Sequence, residues 1–183
     1  MHLKEILQRA IKEGWATGHF NASELDQMRV IIETCKEVGS PAIIGTSEGE
    51  RKHLGLKQAV ALRDVFRQEF DIPIFLNADH TKSVETAKEA IDAEYDSIHI
   101  DLSALSLEEN IAGTKKIVEY ARGKSDFPRE VGLPRINVEG ELGYLRGESK
   151  IQKEKIKVGK EDYTKPEEAV EFVKKTGIDR LAI

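Results

Sequence analysis

A chain of 183 residues, 39% hydrophobic and 33% charged, is long enough for one domain with a real core, or part of one, and its composition is that of an ordinary globular protein. The net charge of −5, with basic residues interleaved among acids rather than clustered, excludes a binder of phosphate backbones, so no nucleic-acid partner is expected. One cysteine, Cys35, allows neither an internal disulfide nor a cysteine metal site and reads as a near-core residue in a reducing compartment.

No apolar run approaches the roughly 20 residues needed to span a bilayer, and M-H-L-K-E-I-L lacks the order of a signal peptide. No membrane partner and a cytoplasmic location are expected.

The elements follow one another in a regular beat. Leu3, Ile6, Leu7, Ala10 and Ile11 have the spacing of an amphipathic helix that Gly14 stops. Ala16 to Asn21 reads as a short strand, Ser23 as the cap of a helix from Glu24 to Val38, and Gly39 as its end. P-A-I-I-G-T-S-E-G is a strand entering a Gly-containing loop, and a helix from Leu56 to Phe70 follows. The third strand, I-P-I-F-L-N-A-D-H from Ile72 to His80, ends abruptly in an acid and an imidazole. Ser83 to Ala93 is helical, Ser97 to Ser103 a fourth strand, and Ser106 with Glu109 a capping box for a helix to Ala121. Arg122 to Pro134 reads as a loop, and Arg135 to Gly143 as a fifth strand on which Glu139 and Glu141 share parity and one side. Tyr144 to Asp162, rich in Lys, Glu and Gly, reads as a lid loop or a linker. Thr164 with Glu167 makes a second capping box, Pro166 lies in the first turn of a helix to Lys175, and Ile178 to Ile183 begins a sixth strand.

Strands alternating with helices, with no hairpin signal between strands, predict a parallel sheet. A doubly wound sheet would show a Gly-rich phosphate fingerprint after its first strand, and G-H-F-N-A-S is not one. A TIM (β/α)8 barrel collects polar residues from many strand ends, as Asn21, Ser47, Asp79, His80, Asp101 and Glu141 do here. The expectation is a single partial (β/α)8 domain over residues 1–183, stopping at the start of strand six, since a typical barrel needs about 250 residues. On spacing alone, Asp79 reads equally well as a helix cap and His80 as a loop residue.

Taken in order, H-F-N, G-T-S-E-G, L-N-A-D-H, H-I-D-L-S with E-E-N-I-x-x-T-K, and V-E-G-E-L-G resemble the class II, metal-dependent fructose-bisphosphate aldolases. The related ketose- and tagatose-bisphosphate aldolases share the pattern. The resemblance implies zinc-dependent, reversible cleavage of a ketose bisphosphate to dihydroxyacetone phosphate and glyceraldehyde 3-phosphate, by a homo-oligomer whose partner is a small sugar phosphate. It places His80 on the catalytic zinc and Asp79 as the acid that exchanges a proton with the hydroxyl at the scissile bond. Asp101 and Glu141 match residues that in some members hold a second metal ion or organise the first site, with solvated strand-end carboxylates as the alternative. Asn21 and Ser47 match substrate contacts, with plain loop polarity as the alternative. His19 and His99 read as core or supporting histidines, His2 and His53 as surface residues.

Three departures from the pattern stand out. Asn77 occupies a position where many members have histidine. Ser149 falls where members offer a glutamate, leaving Glu148 one position early and the acid that protonates carbon unassigned; Glu139 is equally unassigned. The remaining zinc histidines of the family lie at the ends of strands six and seven, so one of three is expected in this chain. Two other readings stay open: a Schiff-base aldolase, disfavoured because no predicted strand carries a lysine, and an inactive, partner-dependent half barrel.

Overall fold

The computed structural model describes residues 2–123, 136–143, 159–160 and 163–183. Helix α1 (Leu3–Glu13) leads into β1 (His19–Asn21), α2 (Leu25–Glu37), β2 (Ala42–Thr46), α3 (Glu48–Leu54) and α4 (Leu56–Phe70). Then come β3 (Ile74–Thr81), α5 (Val84–Asp92), β4 (Ser97–Ile100), α6 (Leu107–Gly123), β5 (Asn137–Glu141), α7 (Pro166–Thr176) and β6 (Arg180–Ala182). The strands pair in sequence order, β1 to β6, every neighbour parallel. They form half of a TIM barrel with its helices. No helix among the described residues is long and apolar enough to cross a membrane.

Strand alternation divides the sheet into two faces. Ile44, Leu76, Ala78, Ile98 and Val138 face the helices and pack with Met28 and Ile32 of α2, Phe66 of α4, Ile91 of α5 and Ile117 of α6. Cys35 is buried on α2, as its helical position suggested. The opposite face becomes the barrel interior. Near the N-terminal ends of the strands it is apolar, where Ile43 and Phe75 meet Leu3 and Ile6, so α1 plugs the barrel floor. Lys4 of α1 reaches Asp179, just before β6, at 2.9 Å.

Several local expectations are corrected. G-T-S-E-G is not simply a loop: Ser47 caps a short helix, α3, in a capping box with Glu50. Ser23 does not cap α2, whose N-cap is Glu24; Ser23 instead donates to Gln27 Oε1. Thr164 does not cap α7 either. Pro166 opens the helix, which makes the extended residue before it, Lys165, the cap. Strands one, four, five and six are shorter than predicted, and most of the proposed lid, Tyr144 to Asp162, lies outside the described residues, as do Glu148 and Ser149.

Asp96, before β4, accepts from Arg63 Nη1 at 2.9 Å, Arg67 Nη2 at 3.0 Å and the Leu76 amide at 2.9 Å. This one carboxylate ties α4 to two strands. Asp96→Ala leaves the buried Arg63 with only the half-exposed Asp64 as counter-charge and removes three charge-assisted hydrogen bonds, which is expected to cost about 1–3 kcal/mol. Urea denaturation measures it, and a loss below about 0.5 kcal/mol would contradict the assignment.

Candidate active site

The interior-facing positions of β3 are Phe75, Asn77 and Asp79. Strict alternation would send His80 to the helix side. Instead Ala78 pairs with Ile98 and Thr81 with Ile100, so β3 spends three residues where β4 spends two. The extra residue bulges, His80 takes φ +39, and Asp79 and His80 both turn inward while Ala78 and Thr81 stay buried on the helix side. A left-handed φ is costly for a residue with a Cβ and marks a position the surroundings must hold.

Around this pair the strand ends converge. His80 Nδ1 is hydrogen-bonded to Asp101 Oδ2 at 2.8 Å and lies 3.2 Å from Glu141 Oε2. His99, one β4 residue deeper, stacks obliquely on His80 with ring centroids 4.5 Å apart. Its Nδ1 is 3.3 Å from Asp79 Oδ1, and its Nε2 is 2.9 Å from Glu141 Oε2. Asn21 Nδ2 donates to Asp79 Oδ2 at 3.0 Å and to Glu50 Oε2 at 3.1 Å. Asp101 also accepts from Ser103 Oγ at 2.6 Å and from the Lys82 ammonium. Gly45 makes room for the rim: a Cβ there would lie 2.5 Å from His19 Nε2 and 2.6 Å from Asn21 Oδ1.

Of the residues singled out from sequence, Asp79, His80, Asp101, Glu141 and Asn21 thus come together. Asp101 and Glu141 are buried, not solvated strand-end acids. Ser47 spends its hydroxyl on the α3 cap. Glu139 shares the face of Glu141 as parity required, but one layer deeper it pairs with Arg180 at 2.9 Å. Asn77 is buried with its amide nitrogen 3.2 Å from His19 Nε2 and its oxygen unpartnered. His19 itself is exposed at the sheet edge instead of lying in a core, and His2 and His53 are surface residues.

Two supporting residues were given no role from the sequence, although Asn110 lies in the E-E-N-I-x-x-T-K stretch. Asn110 donates to the Glu141 carbonyl at 2.9 Å and accepts from Thr114 at 3.1 Å. Its signal was available: a polar pair four residues apart on the buried face of α6. Arg51 is the other, a buried cation beneath the bulge.

The cluster holds its charges strongly. The Asp101 carboxylate, then Glu141, raises His80 to about 10 against its burial. Burial lowers His99, but the Asp79 and Glu141 carboxylates beside it outweigh that and raise His99 to about 9. Burial pushes Asp79 upward, yet the hydrogen bonds from His99 and Asn21 and the charge on His80 hold it well below the usual carboxylate range. Asp101 is likewise held low by His80, Lys82 and Ser103, and Glu141 by the two histidines.

Without metal, the folded chain therefore binds more protons than the unfolded one between pH about 6.5 and about 10. The contribution of the two histidines should be full below about 6.5 and be lost as pH rises through that window, on the order of 2 kcal/mol from His99, the half-exposed His80 adding less. Urea titrations at pH 6 and 9.5 in chelator measure this. Equal stabilities would contradict it.

The donor set suits a divalent cation. His80, Asp101 and Glu141 each offer an atom, all within 4.8 Å of one another, and so do Asp79, His80 and His99. Glu141 Oε2 is buried with no aligned hydrogen bond, as is His99 Nε2 beside it. A buried carboxylate oxygen left without a donor is what a cation would satisfy.

The family model for class II fructose-bisphosphate aldolase matches residues 1–183. The chain belongs to that family. A fructose-bisphosphate aldolase of Treponema pallidum (strain Nichols) is 37% identical over 191 residues, covering 100% of this chain and 53% of that protein. One from Staphylococcus aureus (strain Mu50 / ATCC 700699) is 37% identical over 183 residues, covering 98% and 59%. Among solved structures, the YdjI aldolase from Escherichia coli K12 superposes with a TM-score of 0.77 at 26% identity, covering 100% of this chain and 60% of that one. The chain thus spans between 53% and 60% of the length of these relatives.

Proposed function

We propose that this chain carries the proton-transfer and first metal-binding half of a zinc-dependent aldolase that cleaves a ketose bisphosphate, fructose 1,6-bisphosphate in the first instance. The products are dihydroxyacetone phosphate and glyceraldehyde 3-phosphate. The observation that carries this reading is the bulge that turns Asp79 and His80 to one side, against Asp101 and Glu141.

His80, Asp101 and Glu141 would hold the metal, which when bound would polarise the substrate ketone and offset the negative charge that develops on it. The remaining chemistry belongs to the chain. Asp79, held ionised, accepts the proton of the hydroxyl on the carbon leaving as aldehyde. That O–H pair becomes the new C=O bond, the carbon–carbon bond breaks, and its electrons pass to the ketone half, which a proton then completes. Asn21 and His99 hold the two Asp79 oxygens, fixing the carboxylate toward the substrate. A sugar phosphate as substrate, a homo-oligomer, a cytoplasmic setting and a (β/α)8 barrel completed by further strands belong to the same proposal.

Schiff-base chemistry has little to build on: no described strand contains lysine, and Lys82, just after β3, is held at Asp101. Cleavage of fructose 1,6-bisphosphate that chelator abolishes, zinc restores and borohydride does not trap is the expected result. Chelator-resistant, borohydride-sensitive activity would overturn it.

A further inference from the structure

Arg51 is 6% exposed, and no carboxylate pairs with it among the described residues' ion pairs. A buried guanidinium normally takes a carboxylate partner. Its donors go elsewhere. Nη1 reaches the Thr46 carbonyl and the Asp79 carbonyl, the latter at 3.3 Å, and Nη2 donates to Thr81 Oγ1 at 3.1 Å. Thr81 Oγ1 donates in turn to the Ala78 carbonyl at 3.1 Å, and Tyr95 shares a hydrogen bond with Thr46 Oγ1 at 3.1 Å.

These acceptors flank one residue. Asp79 and Thr81 lie on either side of His80, the position with φ +39, and Thr46 ends the neighbouring strand. A left-handed non-glycine residue persists only where its neighbours over-determine it. A planar fork with fixed donor directions can span the bulge from behind, whereas a lysine ammonium, a single point of charge, cannot reproduce that spacing.

We propose that Arg51 is a positioning residue: its guanidinium clamps the β3 bulge from the helix side, and so keeps Asp79 and His80 turned together into the barrel. This deepens the aldolase reading of that pair and rests on it for its catalytic consequence. The geometric part stands separately.

The test compares Arg51→Lys and Thr81→Val, which break the clamp from its two ends, with wild type in the protein that carries this chain. Amide hydrogen exchange of residues 79–82 is expected to speed up by about 10-fold or more relative to the amides of β4. Turnover of fructose 1,6-bisphosphate should fall by about 10- to 100-fold with KM within about threefold, as misplacement of a reacting group implies. Unchanged relative exchange, acceleration spread evenly over β2 to β4, or local opening with kcat intact would each overturn the proposal. A wild-type protein that cleaves no bisphosphate contradicts the aldolase reading instead, and the exchange comparison still decides the clamp.

Discussion

Asp79→Ala is expected to lower turnover by about 10²–10⁴-fold, the usual scale for removing a positioned general base, while leaving the fold and the metal in place. Asp79 is poised for this role by opposing influences. Burial alone would make it a poor, protonated base, but His99 and Asn21 keep it ionised, and its two oxygens are oriented by different strands. Removing it deletes the proton acceptor without touching Asp101 or Glu141. Steady-state rates give the result directly: a KM increase with kcat preserved would mean that Asp79 only binds substrate.

The second large effect concerns the 183 residues expressed alone. They should show no aldol turnover with added zinc and should self-associate. The resemblance to the family leaves two further zinc histidines to later strands, and without them the cluster of His80, Asp101 and Glu141 lacks the full ligand set on which affinity and geometry depend. The sheet supplies the other half of the argument. Its order runs β1 to β6, so among the described residues β1 and β6 each pair on one side only. Open parallel edges with apolar flanks, Leu181 and Ile183 at one and Phe20 at the other, invite pairing between copies. Light scattering with a coupled assay for dihydroxyacetone phosphate tests both parts. A monodisperse monomer cleaving fructose 1,6-bisphosphate would contradict them.

Periodicity carried most of the fold. The α4 helix, Leu56–Phe70, falls where its apolar spacing put it, and so do the strand cores, because both signals are local. Capping was legible where nothing competed, as at Ser106 and Glu109, and misleading at Thr164, where Pro166 moved the cap by one residue. The box at Ser47 and Glu50 carried the same signal and shows that α3 was readable in advance.

The site was half legible. Strand-end position singled out Asp79, Asp101 and Glu141. That Asp79 and His80 share a side was not readable, because two adjacent strand residues alternate unless a bulge intervenes, and the bulge depends on pairing with β4. For the same reason parity placed Glu139 beside Glu141 but could not tell that Arg180, on another strand, would take Glu139 away from the cluster. Arg51 lay between the loop G-T-S-E-G and the helix from Leu56, in residues read as neither. Its role exists only through carbonyls on two strands.

The central claim is that His80, with Asp101 and Glu141, holds the metal while Asp79 moves the proton. Zinc content of the purified protein, measured side by side for His80→Ala and Asp79→Ala, tests it most directly. The account predicts that His80→Ala loses bound zinc, with affinity down at least about 100-fold, and that Asp79→Ala keeps wild-type stoichiometry. Full zinc occupancy in His80→Ala would contradict it.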